Sequence, residues 1–442
     1  MRRDSLFVCF ALFHLFALSL FHSFNASAQG VLEIIKRNPS YAASNYRVYP
    51  EIGNYQLTPA PAGKHPFYIS HYGRHGSRYL NNRSGYDIPY KMMLKADSLN
   101  ELTPMGKKVL QNIEEILAET EDRWGDLTGY GSEQLRNIGR RMVERFPDVF
   151  ADSAHVDARS TTVNRCIISM GSALQDMACM NPKLQITMEA SKRDMWYMNH
   201  QDNKLRKNAV TPEAQEAYDE FVKKLESNRR FMEMLFINPD TVKKHVSEAW
   251  LNYYIIKMGL LQQNVQNNKD TFFLRLFTSE EMYRFWQWEN SWWYIQHGAC
   301  KLNGARQPYI QRYLLRRIIT NADSCLQLEK PGVQLRFGHE TVLMPLVCLL
   351  GVNGYDVETD NLEELESIGW WGSEVFPMGA NLQFIFYRRD PQDKDVLFKV
   401  LLNEKEARLP IATDCTPYYH WTDFRQHYLE KIDRYEQERN GN

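Results

Sequence analysis

A histidine flanked by arginines is the feature of this sequence that most directly suggests chemistry. Arg74, His75 and Arg78 lie within residues 72–78 (YGRHGSR), directly after the short apolar run PFYISH. Guanidinium groups bind phosphate oxygens through paired hydrogen bonds, and a neutral imidazole is a nucleophile that can accept a phosphoryl group. Gly76 lets the backbone turn closely around a bound group. The segment therefore predicts a phosphate-binding loop with His75 as the nucleophile.

Two further groups follow predicted strands and are expected at the same place. Arg159 lies in 157–161 (DARST), and His339 and Glu340 follow the strand-like run 332–337 (GVQLRF). Because the carboxyl ends of parallel strands meet at one edge of an α/β sheet, we expect these side chains to converge with His75 on one crevice. Arg159 would add a third guanidinium. The alternatives are a surface or capping arginine, and a solvated carboxylate at a helix start for Glu340.

The elements that must position these residues alternate between strand and helix, which is typical of an α/β fold. We predict an α/β core sheet flanked by helices, with a mostly helical inserted cap that includes a helical stretch over 213–236. Strands are predicted at 66–71, 154–158, 184–188 and 332–337, an antiparallel pair at 380–388 and 394–403, and helices at 103–119, 131–146, 161–177 and 309–322. The predicted organisation is a signal peptide at 1–28, core at 29–191, cap at 192–290 and core again at 291–442.

The first 28 residues have the layout of a secretory signal. Two arginines near the start precede an apolar run over 6–21, which is followed by Ala26, Ser27 and Ala28. An A-x-A sequence after an apolar segment is typical of a cleavage site, so cleavage is predicted after Ala28. The alternative is an uncleaved membrane anchor. We expect an exported protein, periplasmic or secreted, without a stable membrane span after cleavage.

Composition excludes several classes of protein. The chain has 442 residues, 43% of them hydrophobic, which excludes a disordered polymer. Lys and Arg total 53 against 54 Asp and Glu, so a basic nucleic-acid coat is not expected and any anion site must be local. Removal of Cys9 with the signal leaves six cysteines, which allow 15 pairings. Cys348 lies in an apolar run and is predicted to be a buried free thiol.

Five ordered segments of the chain resemble the histidine acid phosphatases, the phytase-containing branch of the histidine phosphatase superfamily. The resemblance spans most of residues 60–420 outside the cap. It implies an α/β core with a helical insertion, and a two-step hydrolysis of phosphomonoesters that uses no metal or other cofactor. The segments are 72–78 (YGRHGSR), 127–139 (LTGYGSEQLRNIG), 158–166 (ARSTTVNRC), 337–341 (FGHET) and 401–405 (LLNEK).

The resemblance also implies roles for individual residues. His75 resembles the nucleophile that becomes phosphohistidine, and His339 resembles the second histidine of the pocket. Glu340 stands where phytases have a proton-donating aspartate. In an ungapped comparison with multiple inositol polyphosphate phosphatases, however, Glu340 falls on their alanine and Thr341 on their glutamate. The phosphate clamp is implied to consist of Arg74, Arg78 and Arg159, and the family's usual proline is replaced by Leu80.

The favoured hypothesis is an exported phosphatase that acts on phosphomonoesters through a phosphohistidine, with inositol polyphosphates as substrates. Basic residues of the cap, Lys192, Arg193 and 204–207 (KLRK), are candidates for additional phosphate contacts. One alternative is a broad-specificity or sugar-phosphate phosphatase. Another is an inactive relative that binds phosphorylated ligands without turnover. The only partner expected is a phosphorylated small molecule.

Overall fold

The computed structural model describes residues 30–199, 202–225, 229–265 and 272–441. The predicted signal and its cleavage site lie outside these ranges. Within the described ranges, no helix is both long enough and apolar enough to cross a bilayer. The strands are β1 (His65–Arg74), β2 (His155–Ser160), β3 (Gln185–Glu189), β4 (Gly332–Gly338), β5 (Asn381–Arg388), β6 (Leu397–Leu402), β7 (Lys405–Ala407) and β8 (Tyr419–His420).

The helices surround the sheet and form most of the region between β3 and β4. Their bounds are α1 (Val31–Arg37), α2 (Ser84–Ser98), α3 (Pro104–Thr120), α4 (Gly129–Arg145), α5 (Asn164–Met180), α6 (Met195–Met198), α7 (Asn203–Lys207), α8 (Pro212–Leu225), α9 (Arg229–Leu235), α10 (Pro239–Val242), α11 (Glu248–Gln262), α12 (Ser279–His297), α13 (Arg312–Leu326), α14 (Glu340–Leu350), α15 (Gly372–Val375) and α16 (Trp421–Gly441).

The described strands form one mixed sheet in the order β3-β2-β4-β1-β5-β6-β7, with β8 beside β6. Strands β1, β2, β3 and β4 pair in parallel, whereas β5, β6, β7 and β8 add antiparallel pairs. In register, Arg74 is opposite Gly338, and Ser160 is opposite Phe337. The carboxyl ends of β1, β2 and β4 therefore meet at one edge, directly before the predicted site residues.

Both faces of the sheet are covered, as its apolar strands require. On one face, Ile69 and Ile385 pack in a cluster with residues of α4 and α5. On the other face, Tyr68 and Phe384 pack in a cluster with residues of α13, α14 and α16. A further apolar cluster joins α1, α2, α3, α9, α11 and α12. The predicted fold class, an α/β sheet flanked by helices, is confirmed. The predicted cap boundaries at 192 and 290 stay predictions.

Two predicted helices begin later than their sequences indicate. The helix predicted from Thr161 begins at Asn164, because the backbone N–H of Thr161 donates to Phe337 O at 3.0 Å and so extends the sheet. The helix predicted from Tyr309 begins at Arg312, after a short 3-10 turn over Gln307–Gln311. The stretch predicted over 213–236 contains two helices, α8 and α9. The late start of α5 matters most for the site, because it places Arg165 in the first turn of this helix, directly after the end of β2.

The cysteines of the described residues are all free thiols. Cys348 is 1% exposed, in agreement with its predicted burial. The structure therefore uses none of the fifteen possible pairings that the sequence left open.

The loop that carries His75 packs directly on the start of α4. A Cβ atom on Gly76 would lie 2.2 Å from Gly131 O, and one on Gly131 would lie 2.2 Å from Ser77 O. Thr128 caps α4 by accepting from Gly131 N at 3.0 Å, and its own backbone N–H donates to Ser77 O at 2.9 Å. Because real side chains do not approach so closely, the two glycines permit this contact between loop and helix.

Replacing Gly131 by alanine should displace the loop. We expect Gly131→Ala to lower the free energy of unfolding by about 1–3 kcal/mol, because the added methyl group overlaps backbone atoms. The measurement is the unfolding midpoint in urea. Gly171→Ala in α5 is the control, since no atom lies within 4 Å of its added Cβ and helix propensity favours alanine by roughly 0.5–1 kcal/mol. Equal stability of the two variants would contradict the proposed contact.

Candidate active site

The carboxylate of Glu340 lies at the centre of a buried cluster of cations. Arg74 Nε donates to Glu340 Oε2 at 3.1 Å, and Arg74 Nη2 is 3.0 Å from Oε1. Arg78 Nη2 is 3.5 Å from Oε1, and Asn45 Nδ2 donates to the same oxygen at 3.3 Å. Both guanidiniums are buried, so the carboxylate provides much of their charge compensation. This position, between the arginines, is the one that a bound oxyanion would take.

The His75 imidazole is oriented for nucleophilic attack. Its Nδ1 lies 2.8 Å from Gly76 O, which can only accept, so Nδ1 carries the proton. The lone pair therefore resides on Nε2, which has no hydrogen-bond partner among the described residues. Nε2 lies 3.5 Å from Glu340 Oε2. The reactive nitrogen thus faces the same space as the arginines.

Burial and charge keep His75 neutral. Complete burial, together with the guanidiniums of Arg74 and Arg78, holds the pKa of His75 well below its usual range, although Glu340 opposes the shift. A neutral imidazole retains its nucleophilic lone pair. We therefore expect His75 to be competent from acid to neutral pH.

Glu340 is ionised in the free protein. Burial alone raises the pKa of Glu340, but the guanidiniums of Arg74 and Arg78 outweigh it and hold the pKa well below its usual range. An incoming oxyanion would occupy the same donors and add negative charge. Both changes raise the carboxyl pKa, so Glu340 becomes a proton donor only when an anion is bound.

His339 lies at the side of the cluster next to His75. Its ring packs edge-on against the ring of His75, with centroids 5.8 Å apart, and it is 8% exposed. Thr161 Oγ1 is 3.2 Å from His339 Nε2, and the buried Cys166 Sγ is 3.8 Å away. Burial raises the pKa of Cys166 to about 11, so it remains a neutral thiol. The structure therefore brings His75, His339 and Glu340 together, as the sequence predicts.

Arg159 does not take the position expected for it. Its Nη1 lies 2.9 Å from Asp194 Oδ2 and 3.6 Å from Glu189 Oε2, and its Nε donates to Asp157 at 3.3 Å. In register it is opposite Glu189 on β3 and Arg336 on β4, one residue before the strand end. Side chains alternate along a strand, and that of Arg159 joins carboxylates away from Glu340.

Arg165, in the first turn of α5, is the arginine after β2 that interacts electrostatically with the cluster. Burial and the charge of Arg78 lower the pKa of Arg165, while Glu340 opposes this shift, so all three groups interact. Its buried Nε has no hydrogen-bond partner among the described residues, and the same is true of Arg78 Nε. These N–H groups are donors that a bound anion would satisfy. Arg165 stands within the segment 158–166, but its role was missed because the helix start was placed too early.

Asn264 connects the region after α11 to the catalytic loop. The side chain is fully buried and accepts from Ser77 Oγ at 2.7 Å while donating to Tyr46 O at 2.7 Å. Tyr46 in turn accepts from Arg78 Nη1 at 2.7 Å. Thr128 Oγ1 donates to Asn264 O at 2.7 Å. Sequence patterns gave no signal for this residue, because a single asparagine beyond a helix end is common.

The donor set fits an anion better than a metal ion. His75, His339 and Glu340 offer ligand atoms within 4.8 Å of one another, which is compatible with a metal site. Two buried guanidiniums, however, contact the same carboxylate and would repel a cation strongly in this low-dielectric environment. A tetrahedral oxyanion would instead be attracted by every cation of the cluster.

Anion binding should be linked to protonation of Glu340. Sulfate is a suitable ligand because it is a dianion that does not titrate in this range. We expect its dissociation constant to rise about tenfold for each unit of increasing pH, over the range in which Glu340 is ionised in the free protein and protonated in the complex. The sign of this pH dependence follows because the pKa of Glu340 is higher in the sulfate complex than in the free protein. Binding therefore takes up a proton and is favoured as pH falls. Calorimetric titrations from acid to neutral pH measure this slope. In Glu340→Gln the slope should vanish.

Glu374→Gln is the matched control, since that carboxylate pairs with Arg47 outside the cluster. It should keep the wild-type slope. An unchanged slope in Glu340→Gln would assign the proton to another group and contradict the role given to Glu340.

The two arginines near the end of β2 should differ in their effect on anion binding. We expect Arg165→Ala to weaken sulfate binding roughly tenfold to a hundredfold, the equivalent of about 1.5–3 kcal/mol for a hydrogen bond to a charged group. Arg159→Ala should change it less than about twofold, since its carboxylate partners lie away from the anion. Calorimetry at one pH measures both. A larger loss of sulfate affinity in Arg159→Ala than in Arg165→Ala would contradict this prediction and support Arg159 as part of the phosphate clamp.

Comparison with solved structures identifies proteins of similar fold. A structure of multiple inositol polyphosphate phosphatase from Bifidobacterium longum, in complex with inositol hexasulfate, has a TM-score of 0.75 at 17% identity and covers 87% of this chain and 97% of that one. The phytase from D. castellii has a TM-score of 0.67 at 14% identity, covering 89% and 85%. The phytase from Citrobacter braakii has a TM-score of 0.52 at 14% identity, covering 84% and 98%. These similarities show a shared fold.

A search of curated protein sequences finds no significant match. The profile of the histidine phosphatase superfamily (branch 2) matches residues 73–403. This range begins at the end of β1 and includes β2 and β4. It contains Arg74, His75, Arg78, Arg165, His339 and Glu340. The match covers well over half of the chain, and the chain therefore belongs to the histidine phosphatase superfamily, branch 2, the histidine acid phosphatases.

Proposed function

We propose that this protein is an exported phosphatase that hydrolyses phosphomonoesters through a phosphohistidine at His75, and that its substrates are inositol polyphosphates. The observation that carries the proposal is the orientation of His75. Its Nδ1 is held by Gly76 O at 2.8 Å, and its unprotonated Nε2 faces a space lined by Arg74 and Arg78. A site that only bound anions would need the arginines but not a nucleophile in this tautomer.

The first step is transfer of the phosphoryl group to His75. Phosphate oxygens take the guanidinium donors that now contact Glu340, and the carboxylate moves aside. The lone pair of His75 Nε2 forms a bond to phosphorus while the bond to the leaving oxygen breaks. The arginines stabilise the negative charge that is spread over the phosphoryl oxygens in the transition state.

Glu340 supplies the proton that the leaving oxygen needs. An alkoxide is a poor leaving group, so a neighbouring carboxylic acid must protonate it as the bond breaks. In the second step, the resulting carboxylate accepts a proton from water, which attacks phosphorus and releases His75. The phosphate product carries away the transferred group, and both residues return to their starting states.

Cationic cavities beside the cluster favour a substrate with several phosphates. Thr341, next to Glu340, lines a cavity of about 350 Å³ together with Arg206, Lys207 and His297. These residues come from α7 and α12, within or just beyond the predicted cap. A single phosphate would occupy only the central cluster. A ring with a phosphate on each carbon would extend toward Arg206 and Lys207.

A further cation lines a different cavity, which is connected to the cluster through Tyr46. Lys257 on α11 lines a cavity of about 260 Å³ with Tyr46, whose hydroxyl accepts from Arg78. Burial alone lowers the pKa of Lys257, but Glu289 and Tyr253 outweigh it and keep the ammonium charged. The similar fold of a protein crystallised with inositol hexasulfate supports the same class of substrate.

Export rests on the sequence of residues 1–28 alone. Its charged start, apolar segment and A-x-A site are the basis of the proposal. An exported phosphatase would act on phosphomonoesters outside the cytoplasm.

The function is tested by assaying phosphate release from inositol hexakisphosphate and from glucose 6-phosphate. The protein lacking residues 1–28 is assayed in EDTA from acid to neutral pH, beside His75→Ala. We expect release mainly from the inositol substrate, and a loss of at least about a thousandfold in His75→Ala, since the nucleophile is absent. Wild-type protein quenched rapidly in alkali should carry a phosphohistidine, because the bond between phosphorus and the imidazole nitrogen is labile in acid.

Each other outcome has a defined meaning. Phosphate release mainly from glucose 6-phosphate would be consistent with the proposed mechanism but would favour the broad-specificity or sugar-phosphate phosphatase. No release from either, together with anion binding by the folded protein, would favour the inactive relative. Activity that persists in His75→Ala would overturn the proposed nucleophile.

A further inference from the structure

A second group of metal-ligating side chains lies at the opposite end of the sheet from His75. Its members are Asp414, Cys415 and His420, from the segment that leads into α16. His420 pairs with Leu397 at the start of β6. Leu397 is opposite Tyr387 on β5, which pairs with the first residues of β1. Because the 10 residues of β1 span about 30 Å, this group is remote from the catalytic cluster.

The His420 ring is held in an orientation that suits a metal ligand. Its Nδ1 lies 2.9 Å from Asp395 Oδ1, and its Nε2 lies 3.0 Å from Asp414 Oδ1. Metal-ligating histidines characteristically donate one ring N–H to a carboxylate, which directs the lone pair of the other nitrogen toward the ion. Asp395 occupies the position of that carboxylate. Asp414 is then a ligand beside Nε2.

Cys415 completes a set of nitrogen, oxygen and sulfur donors. Its Sγ lies 4.0 Å from His420 Nε2, and all three ligand atoms are within 4.8 Å of one another. With metal–ligand distances of about 2.0–2.3 Å, two ligands of a tetrahedral zinc ion are roughly 3.3–3.6 Å apart. The observed distances of 3.0 and 4.0 Å lie on either side of that range. Small side-chain rotations would therefore suffice to bind an ion.

We propose that Asp414, Cys415 and His420 bind a zinc-like divalent transition metal ion, with Asp395 orienting the imidazole. Thiolate and imidazole donors with one carboxylate suit zinc better than calcium or magnesium. Asp414 is 82% exposed, so water can supply a fourth ligand. On binding, the Cys415 thiol releases its proton to solvent and the sulfur forms a bond to the metal.

The charges around this site favour a cation, unlike those around Glu340. Asp395 adds a carboxylate beside His420. The ammonium of Lys64 pairs with Asp393 and Asp395 at 2.8 and 3.1 Å, and Arg389 pairs with Asp393 at 2.9 Å. Asp414 pairs with the His420 ring. A divalent ion would compensate the remaining negative charge.

The metal would cross-link the short segment 414–420, and the hydrogen bond between His420 and Asp395 would connect that segment to the start of β6. Asp395 precedes β6, whereas Asp414 and Cys415 precede β8 and His420 is its last residue, directly before α16. A bound ion would therefore fix the chain between β7 and α16 against the sheet. Its role would be structural, because β1 separates it from His75.

Cobalt binding tests the proposal without relying on phosphatase activity. Reduced, purified protein is titrated with Co²⁺, and the sulfur-to-cobalt charge-transfer absorption is recorded. We expect one equivalent to bind with this absorption, which Zn²⁺ should then remove. Cys415→Ser should abolish the absorption, and Cys179→Ser should retain it, since Cys179 is the exposed cysteine of α5.

Histidine and carboxylate variants separate this site from surface ion pairs and from the catalytic cluster. His420→Gln should weaken Zn²⁺ binding at least tenfold, Asp395→Asn should weaken it roughly tenfold to a hundredfold, and His75→Ala should leave it unchanged. Absorption that persists in Cys415→Ser, or Zn²⁺ binding that is lost in His75→Ala, would overturn the proposal. Absence of binding would show that His420 only forms ion pairs with Asp395 and Asp414.

Discussion

The buried contact between Glu340 and two guanidiniums is the interaction on which the rest of the site depends. Transfer of each charged group from water costs several kcal/mol, and Arg74 and Arg78 are almost fully buried. Without an anion between them, they would repel one another in a low-dielectric environment. Glu340 supplies that anion in the free protein. In the mechanism that we propose, a substrate phosphate replaces it, so the same charge balance that stabilises the free protein also prepares it for binding.

The sheet topology makes this contact possible. Strand β4 lies between β1 and β2, so the loop after β1, the start of α5 and the start of α14 meet at one edge. Backbone hydrogen bonds fix the junction, because His75 N donates to Gly338 O at 3.0 Å and Arg74 N donates to Ala380 O at 2.7 Å. The positions of Arg74 and Glu340 therefore follow from strand register rather than from flexible loops.

The sequence was informative where a local pattern determines position. An apolar strand followed by glycine-flanked basic residues located His75, and a strand followed directly by a helix located Glu340. Local patterns did not show whether Arg159 or Arg165 belongs to the site, because that depends on the pairing of β2 with β4. That pairing holds Thr161 in extended conformation and delays α5. No local periodicity encodes it, because it arises from residues more than 170 positions away.

The hydrogen bonds of Asn264 have a consequence for how this protein can change over evolution. This residue, just beyond α11, contacts Ser77 and Tyr46, so the helical region supplies part of the support for the catalytic loop. This helical region is therefore not an interchangeable module. A lineage that shortened or replaced it would have to provide a new buried partner for Ser77. The sequence of this helical region and the geometry of the loop that carries Ser77 are consequently constrained to evolve together.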